Sequence, residues 1–129
     1  MGVVHEKDYF IDPTDRVRTV GWEGLAPGDT GQPIEVCKWP DASIHIYHTS
    51  GAGIPTTMQA SNDPRANPNH PDHASANWIT MEDNGGALVE TTTELLKQRV
   101  TNGWWMRPSC AAVGAGFVNV GINMVKAHS

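Results

Sequence analysis

The chain has 129 residues, which suits one domain with one hydrophobic core, and its 13 Gly and 9 Pro favour short elements joined by turns. Its formal net charge is −5 with no cluster of Lys or Arg, so the sequence predicts no direct binding to nucleic acid. No apolar run approaches the roughly 20 residues that span a bilayer, and "MGVVHEKDYF" lacks the pattern of a signal peptide, so we expect a cytoplasmic product without membrane contact.

Residues 1–15 are predicted to form an extended N-terminal arm. The stretch "EKDYFIDPTD" is charged, is broken by Pro13 and has no sustained periodicity. Two interpretations remain open: a frayed terminus, or an arm that orders against a neighbouring subunit with Tyr9, Phe10 and Ile11 as apolar anchors.

From residue 17 the pattern is that of β-strands. "VRTVGW" precedes a turn-rich stretch, and "PIEVCKW" places Ile34 and Val36 on one face with Cys37 and Trp39 on the other. "ASIHIYHT" alternates in the same way, with Ala42, Ile44 and Ile46 on one face and His45 and Tyr47 on the other. Gly51 and Gly53 predict a hairpin into a strand whose residues Thr56, Met58 and Ala60 share a face, and "SNDP" ends that strand.

The second half begins with a loop and returns to strands. "PRANPNHPDHASA", residues 64–76, is a proline-rich loop long enough to suggest a function. "NWITM", "ALVETTT" and "GWWMRP" predict strands, with an Asn-Gly turn at 84–85 and Pro108 ending the third strand. "TELLKQRV" fits either one helical turn or a strand, and its β-branched surroundings favour the strand.

The last segment, "FVNVGINMVKA", has the clearest period of two: Val118, Val120, Ile122 and Met124 alternate with Asn119, Gly121 and Asn123. In all, about eight short strands follow one another without a βαβ rhythm. The predicted fold is therefore all-β, an antiparallel β-sandwich or jelly roll, with the single domain spanning residues 16–129.

Two cysteines, Cys37 and Cys110, lie far apart in no metal-type spacing. One disulfide is possible, but two buried thiols in a reducing cytoplasm are the favoured interpretation.

The histidines do not predict a metal centre. His45 and His48 are three residues apart on a strand, which directs their rings to opposite faces, whereas a cupin site needs them on one face. His70 and His73 lie in the proline-rich loop near Asp63, but nothing in the sequence fixes a coordination geometry. There is no Gly-x-Ser-x-Gly motif and no activated cysteine, so we predict no catalytic residues, no metal and no cofactor.

The five tryptophans are the strongest binding signal. Trp39, Trp78 and one of the pair Trp104 and Trp105 are predicted to be core residues, and the other member of the pair should point outward. An outward tryptophan suits either a protein interface, which we favour, or stacking on a sugar ring.

The segments "GWEGLAPGDTGQPIEV", "ASIHIYHTSGAGIPTTMQASND", "NWITMED" and "WWMRP" occur in an order that resembles small virion proteins of tailed bacteriophages. Over residues 19–108 the chain is similar to capsid cement or decoration proteins, with "PRANPNHPDHASA" as an additional segment.

This resemblance implies a jelly-roll protein that forms a homodimer or homotrimer on the outside of the virion capsid, after synthesis in the host cytoplasm. Its partner would be the major capsid protein, and its role would be to stabilise the head against internal pressure. We expect the interface to use Tyr9, Phe10, Ile11, Trp104 and Trp105, with loop contacts from Asn62, Asp63, His70 and His73.

Three alternatives differ in class. A tail or fibre-base component has the same sequence signature. A carbohydrate-binding module would use the outward tryptophan, with Trp105 as the residue to test, beside the loop Asn and Asp residues. A cupin-like metalloenzyme would contain stoichiometric metal after purification.

Overall fold

The structure is a computed structural model that describes residues 2–14, 16–39, 41–50, 53–83, 86–87, 89–90, 95–98 and 103–126. The predictions for Gly51, for the turn at 84–85 and for residues 91–94 lie outside these ranges, as does the side chain of His48.

The described residues form fourteen strands and two short 3-10 helices, and no described helix is long and apolar enough to cross a membrane. The strands are β1 (Val3–Val4), β2 (Lys7–Ile11), β3 (Val17–Leu25), β4 (Thr30–Gly31), β5 (Ile34–Glu35), β6 (Asp41–Ser50), β7 (Thr56–Ser61), β8 (Ile79–Thr80), β9 (Glu82–Asp83), β10 (Gly86–Ala87), β11 (Val89–Glu90), β12 (Leu95–Gln98), β13 (Trp105–Cys110) and β14 (Phe117–Val125). The 3-10 helices, Pro64–Ala66 and His73–Ser75, lie in the proline-rich loop. Strand β12 confirms the strand interpretation of "TELLKQRV".

Two main sheets contain most of these strands. The five-stranded sheet has the order β12-β6-β14-β3-β2, and the seven-stranded sheet has the path β1-β4-β13-β7-β11 with β5 on β13 and β8 on β7. The pair β9 and β10 forms a separate ladder. Among the described strands, every ladder is antiparallel except the short one between β1 and β4. The predicted antiparallel β-sandwich of the jelly-roll type is confirmed.

The core lies between the two main sheets, where one face of each is apolar. The alternation predicted for β6, β7 and β14 is confirmed, because the apolar residues on one face of each strand are buried in a single cluster with residues of β3 and β13: Val20, Trp22, Ala42, Ile44, Ile46, Met58, Ala60, Met106, Val118, Val120, Ile122 and Met124. Trp39 was predicted on the face opposite Ile34 and Val36, but it is buried in the same cluster because the chain turns between Val36 and Trp39. One departure is Asn119, which is only 7% exposed. Its Oδ1 accepts the Gly24 N–H at 2.9 Å beside a register shift between Val118 and Val120.

The N-terminal segment is built into both sheets, which differs from the arm predicted for residues 1–15. Strand β1 pairs with β4, and β2 pairs with β3 along the five-stranded sheet. Gly2 adds a backbone N–H bond to Asp29 Oδ1 at 2.9 Å. Residues 2–14 have little hydrophobic periodicity, so the sequence alone does not predict that they form strands. They pair because β3 and β4 present free edges to them.

The hairpin pairing of β6 with β7, predicted from Gly51 and Gly53, is wrong. Strand β6 is flanked by β12 and β14, whereas β7 pairs with β13, β8 and β11 in the other sheet. The chain between β6 and β7 therefore crosses from one sheet to the other. Strand β7 cannot pair with β6, because β12 and β14 occupy both edges of β6. Gly53 still uses positive φ, at 78°, where the chain turns.

Pro108 was predicted to end its strand, and it instead lies inside β13, opposite Met58 of β7. Cys110 N–H donates to the Asp29 carbonyl at 2.8 Å, on the side of β13 that faces away from β7. Alternate residues of a strand direct their backbone N–H groups to the same side, so the nitrogen of Pro108 also faces away from β7. The missing N–H of Pro108 thus falls between the pairings with β5 and β4, where no ladder bond is lost.

The tryptophans divide differently from the prediction. Trp39 is buried as expected, but Trp78 is only partly buried and lies under Arg107, whose Cζ is 4.2 Å from the ring centroid. Trp22, which the sequence did not single out, is fully buried, and its Nε1 donates to the Gln32 carbonyl at 3.0 Å. Trp104 is the outward member of its pair at 51% exposure, while Trp105 is partly buried.

Candidate binding surfaces

The first candidate surface, called here the β2 surface, consists of Tyr9, Phe10 and Ile11. Their exposed fractions are 49%, 55% and 51%, high for adjacent large apolar side chains. The ladder with β3 shifts register between Asp8 and Phe10, so Tyr9 is the extra residue of a β-bulge. The bulge places Phe10 opposite Thr19, on the outer face of the sheet where the Tyr9 ring also lies, whereas Ile11 pairs with Arg18 and is exposed at the edge of the opposite face.

Polar contacts hold this strand in place. The Tyr9 hydroxyl donates to Glu23 Oε1 at 2.6 Å, and Lys7 Nζ contacts Glu23 Oε2 at 2.9 Å. Asp8 Oδ1 accepts from Arg18 Nε at 2.6 Å. Partial burial and then the bond to Glu23 raise the pKa of Tyr9 to about 12, while the same bond and Lys7 lower the pKa of Glu23. The β2 surface is therefore presented on a fixed strand with a neutral tyrosine.

The second candidate region surrounds Asp63 at the end of β7. The Asp63 carboxylate accepts hydrogen bonds from Arg65 N–H at 3.0 Å, Arg65 Nη2 at 2.8 Å and Asn77 N–H at 3.1 Å. Ser61 Oγ donates to the Asn77 carbonyl at 2.6 Å. These donors, the Arg65 side chain foremost, hold the pKa of Asp63 well below its usual range. Asp63 thus joins the two ends of the proline-rich loop as an ionised acceptor.

The loop histidines have structural partners. His70 Nδ1 accepts the Asp72 N–H at 3.0 Å, and His73 Nδ1 lies 2.8 Å from the Arg65 carbonyl, so that this nitrogen of His73 must be the donor. Among the described residues, no three His, Cys, Asp or Glu side chains come together as metal ligands. The two histidines help to fold the loop around Asp63.

A depression of about 320 Å³ lies beside this loop and is called here the Trp104 depression. It is lined by Glu35, Asn62, Pro64, Asn67, Trp104 and Trp105. The Trp104 N–H is shared between Asn62 Oδ1 at 2.8 Å and the Ser61 carbonyl at 3.2 Å, and the Trp104 carbonyl accepts the Val36 N–H at 2.8 Å. The indole is therefore half-exposed on a backbone that is held from both sides.

The structure brings some predicted site residues together and separates others. Asn62, Asp63, Trp104 and Trp105 meet around the end of β7, whereas Tyr9, Phe10 and Ile11 belong to the edge of the other sheet. Sequence reasoning missed Glu35 and Asn67, because strand pairing between β5 and β13 and the fold of the loop place them beside Trp104. No local pattern in the sequence signals either residue.

Comparison with known proteins supplies a fold but no family. No family model matches the chain, and no curated protein sequence matches it. Among solved structures, the SPBc2 prophage-derived protein YomS superposes with a TM-score of 0.57 at 10% identity, covering 85% of this chain and 95% of YomS. The two proteins thus have similar folds.

Two cupin structures overlap the chain more loosely. A cupin domain from Bordetella pertussis Tohama I gives a TM-score of 0.39 at 8% identity, covering 95% of this chain and 92% of that one. A cupin 2 domain-containing protein from Halorhodospira halophila gives 0.42 at 10% identity, covering 97% and 67%.

Proposed function

We propose that this protein is a structural virion protein of a tailed bacteriophage, a capsid cement protein that binds the outer surface of the major capsid shell. Its similarity in fold to prophage-derived YomS, over most of both chains, supports a phage origin. The order of sequence segments described above supports the same class. The protein acts by binding, without catalysis.

The observation that carries the proposal is the β2 surface. Three adjacent large apolar side chains are exposed on a strand that hydrogen bonds and ion pairs hold in place. Preformed apolar contacts bind more tightly than mobile ones, because less conformational entropy is lost on association. Repeated over a symmetric shell, even a modest contact accumulates into strong attachment.

The partners that we propose are the major capsid protein and further copies of this chain, as a homodimer or homotrimer. The total contact would fall in the range of about 1,000–2,000 Å² that specific assemblies bury. The earlier assignment of Trp104, Trp105 and the residues Asn62, Asp63, His70 and His73 to the same contact stays a prediction.

The test is co-sedimentation of the purified protein with empty expanded heads of its phage. Removing residues 1–15 would also remove two sheet strands, so point substitutions are the cleaner perturbation. Phe10→Lys and Ile11→Lys should each weaken attachment by at least about tenfold, since buried apolar anchors dominate interfaces. Val113→Lys is the matched control, because Val113 is 57% exposed at another site.

If wild type and both β2 variants bind heads equally well, the β2 surface does not contact the capsid. A cementing role further requires that decorated heads withstand heating better than bare heads. Heads that bind the protein without gaining heat resistance would contradict that role.

The alternative place in the virion is the tail or the fibre base. Imaging of intact virions distinguishes the two, because cement density repeats over the head and tail density does not. Density confined to the tail would overturn the capsid assignment while leaving the class of virion protein in place.

A further inference from the structure

The Trp104 depression differs in character from the β2 surface. Its aromatic side chain is 51% exposed at a concave site of about 320 Å³ with polar groups around it, whereas the β2 surface projects from a sheet. Ligand sites combine an apolar surface with a few placed polar groups in this way. The depression therefore has the features of a binding site for a small polar molecule.

The polar groups of the depression supply both donors and an acceptor. Asn62 Oδ1 accepts the Trp104 N–H, which leaves the Asn62 amino group without an acceptor among the described residues. Asn67 is arranged similarly, since its Oδ1 accepts the Asn69 N–H at 2.9 Å. The Glu35 carboxylate is the acceptor: Cys37 Sγ contacts only its Oε1, at 3.5 Å, and it has no bound cation among the described ion pairs. Hydroxyl groups, which both donate and accept, fit this set.

The charge around the Trp104 depression favours neutral over anionic hydroxylated ligands. Glu35 contributes a carboxylate, none of the described residues that line the depression is Lys or Arg, and Arg65 in the neighbouring loop is engaged by Asp63 at 2.8 Å. The whole chain has a net charge of −5. An anionic ligand would meet a negative surface with no available guanidinium, so a neutral ligand is favoured.

The site extends beyond one ring. A second depression of about 220 Å³ also has Asn62 in its lining, together with Asn77, Ile79 and Gly103. Asn62 lines both depressions, and Ile79 is 62% exposed in the second. Two adjoining depressions with one shared amide suit a chain of rings better than a single ring.

We propose that this protein binds a neutral oligosaccharide, with one sugar ring stacked on Trp104 and the next ring beyond Asn62. The apolar C–H face of the first ring covers the indole, as aromatic faces attract positively polarised edges. The amino groups of Asn62 and Asn67 donate to hydroxyl oxygens, and Glu35 accepts from a hydroxyl. The site lies on the other sheet from the β2 surface, and the saccharide test does not depend on the capsid assignment.

The test is isothermal titration calorimetry of the full chain with three neutral trisaccharides, namely cellotriose, maltotriose and N-acetylated chitotriose, with glucose as the single-ring probe. At least one trisaccharide should bind, and it should bind more tightly than the monosaccharide. Trp104→Ala should weaken that binding by at least about tenfold, and Trp104→Phe should retain part of it. Phe117→Ala is the matched control, because Phe117 is an aromatic residue 47% exposed on β14, and it should leave the affinity unchanged.

Several results would overturn the proposal. One is the absence of binding by all three trisaccharides at millimolar concentration, with the fold verified by circular dichroism. Another is an affinity that Trp104→Ala leaves intact. A third is binding of a hexaproline peptide without any saccharide, which would identify the indole as a peptide-docking residue.

Discussion

The ring of Tyr9 covers Gly21: a Cβ built on Gly21 would lie 2.8 Å from Tyr9 Cε2 and 2.7 Å from the Val120 carbonyl oxygen. This glycine lets a half-exposed tyrosine lie flat over β3, and from there its hydroxyl reaches Glu23. The contact between Tyr9 and Gly21 therefore positions the β2 surface.

Gly21→Ala should destabilise the protein by about 1–3 kcal/mol, because the new methyl group overpacks the Tyr9 ring and a neighbouring backbone. Gly121→Ala is the matched control, since Gly121 lies opposite Gly21 in the same sheet and nothing lies within 4 Å of its added Cβ. Urea unfolding of both variants measures the difference. Equal midpoints would show that Tyr9 does not lie over Gly21 in solution.

The Asp63 carboxylate should make the free energy of unfolding depend on pH in the acidic range. The folded-state pKa of Asp63 is lowered, so its contribution to the free energy of unfolding is complete above the unfolded pKa of about 3.9 and declines as the pH falls toward the folded value. Asp63→Asn should therefore lose stability at neutral pH and show a shallower decline below pH 4.

Asp72→Asn is the control for this experiment, because the Asp72 side chain makes no capping hydrogen bond in the same loop. Urea midpoints measured from neutral to acidic pH give the comparison. Parallel pH profiles for wild type and Asp63→Asn would contradict the role assigned to this carboxylate.

Arg107 and Trp78 should stabilise the fold jointly. The guanidinium lies over the ring at 4.2 Å, and Arg107 Nε donates to Gln59 Oε1 at 2.9 Å. A double-mutant cycle with Arg107→Met and Trp78→Leu should give a coupling free energy of about 0.5–1 kcal/mol. Strictly additive losses in urea unfolding would mean that the stacking contributes nothing.

The two cysteines should differ in reactivity. Cys37 is exposed and Cys110 is buried, both as free thiols, so native protein should react with one equivalent of a disulfide reagent and unfolded protein with two. Desolvation, followed by the contact with Glu35 at 3.5 Å, raises the pKa of the Cys37 thiol. Thiolate is then scarce at neutral pH, and Cys37 should react more slowly than free cysteine.

Glu35→Gln should accelerate the reaction of Cys37, because the carboxylate that opposes the thiolate is removed. Rates measured across pH 7–10 test this. A rate that Glu35→Gln leaves unchanged would show that the two side chains are not in contact.

Alternation of side chains made most of the fold predictable. The inward residues of β6, β7 and β14 were correctly assigned because a strand directs successive side chains to opposite faces whatever its partners are. The outward member of the pair Trp104 and Trp105 follows from the same geometry. Where alternation is interrupted, as at Asn119 beside the register shift, prediction from sequence was incomplete.

Strand partners were not predictable. The sequence around Gly53 is the same whether the chain returns in a hairpin or crosses to the opposite sheet, and only the occupation of both edges of β6 excludes the hairpin. Trp78 shows the same limit: its size predicts burial, but Arg107, which lies across β7 on β13, decides how the ring is covered.

The amino-acid sequence by itself determined the all-β class, the buried faces of the strands and the presence of an outward tryptophan, because these follow from a local period of two. Only the tertiary structure decided that the N-terminal segment joins both sheets, that Tyr9 lies over Gly21, and that Glu35, Asn62 and Trp104 surround one depression. Such relationships arise from hydrogen bonding between segments distant in the chain, and no local pattern encodes which edges meet.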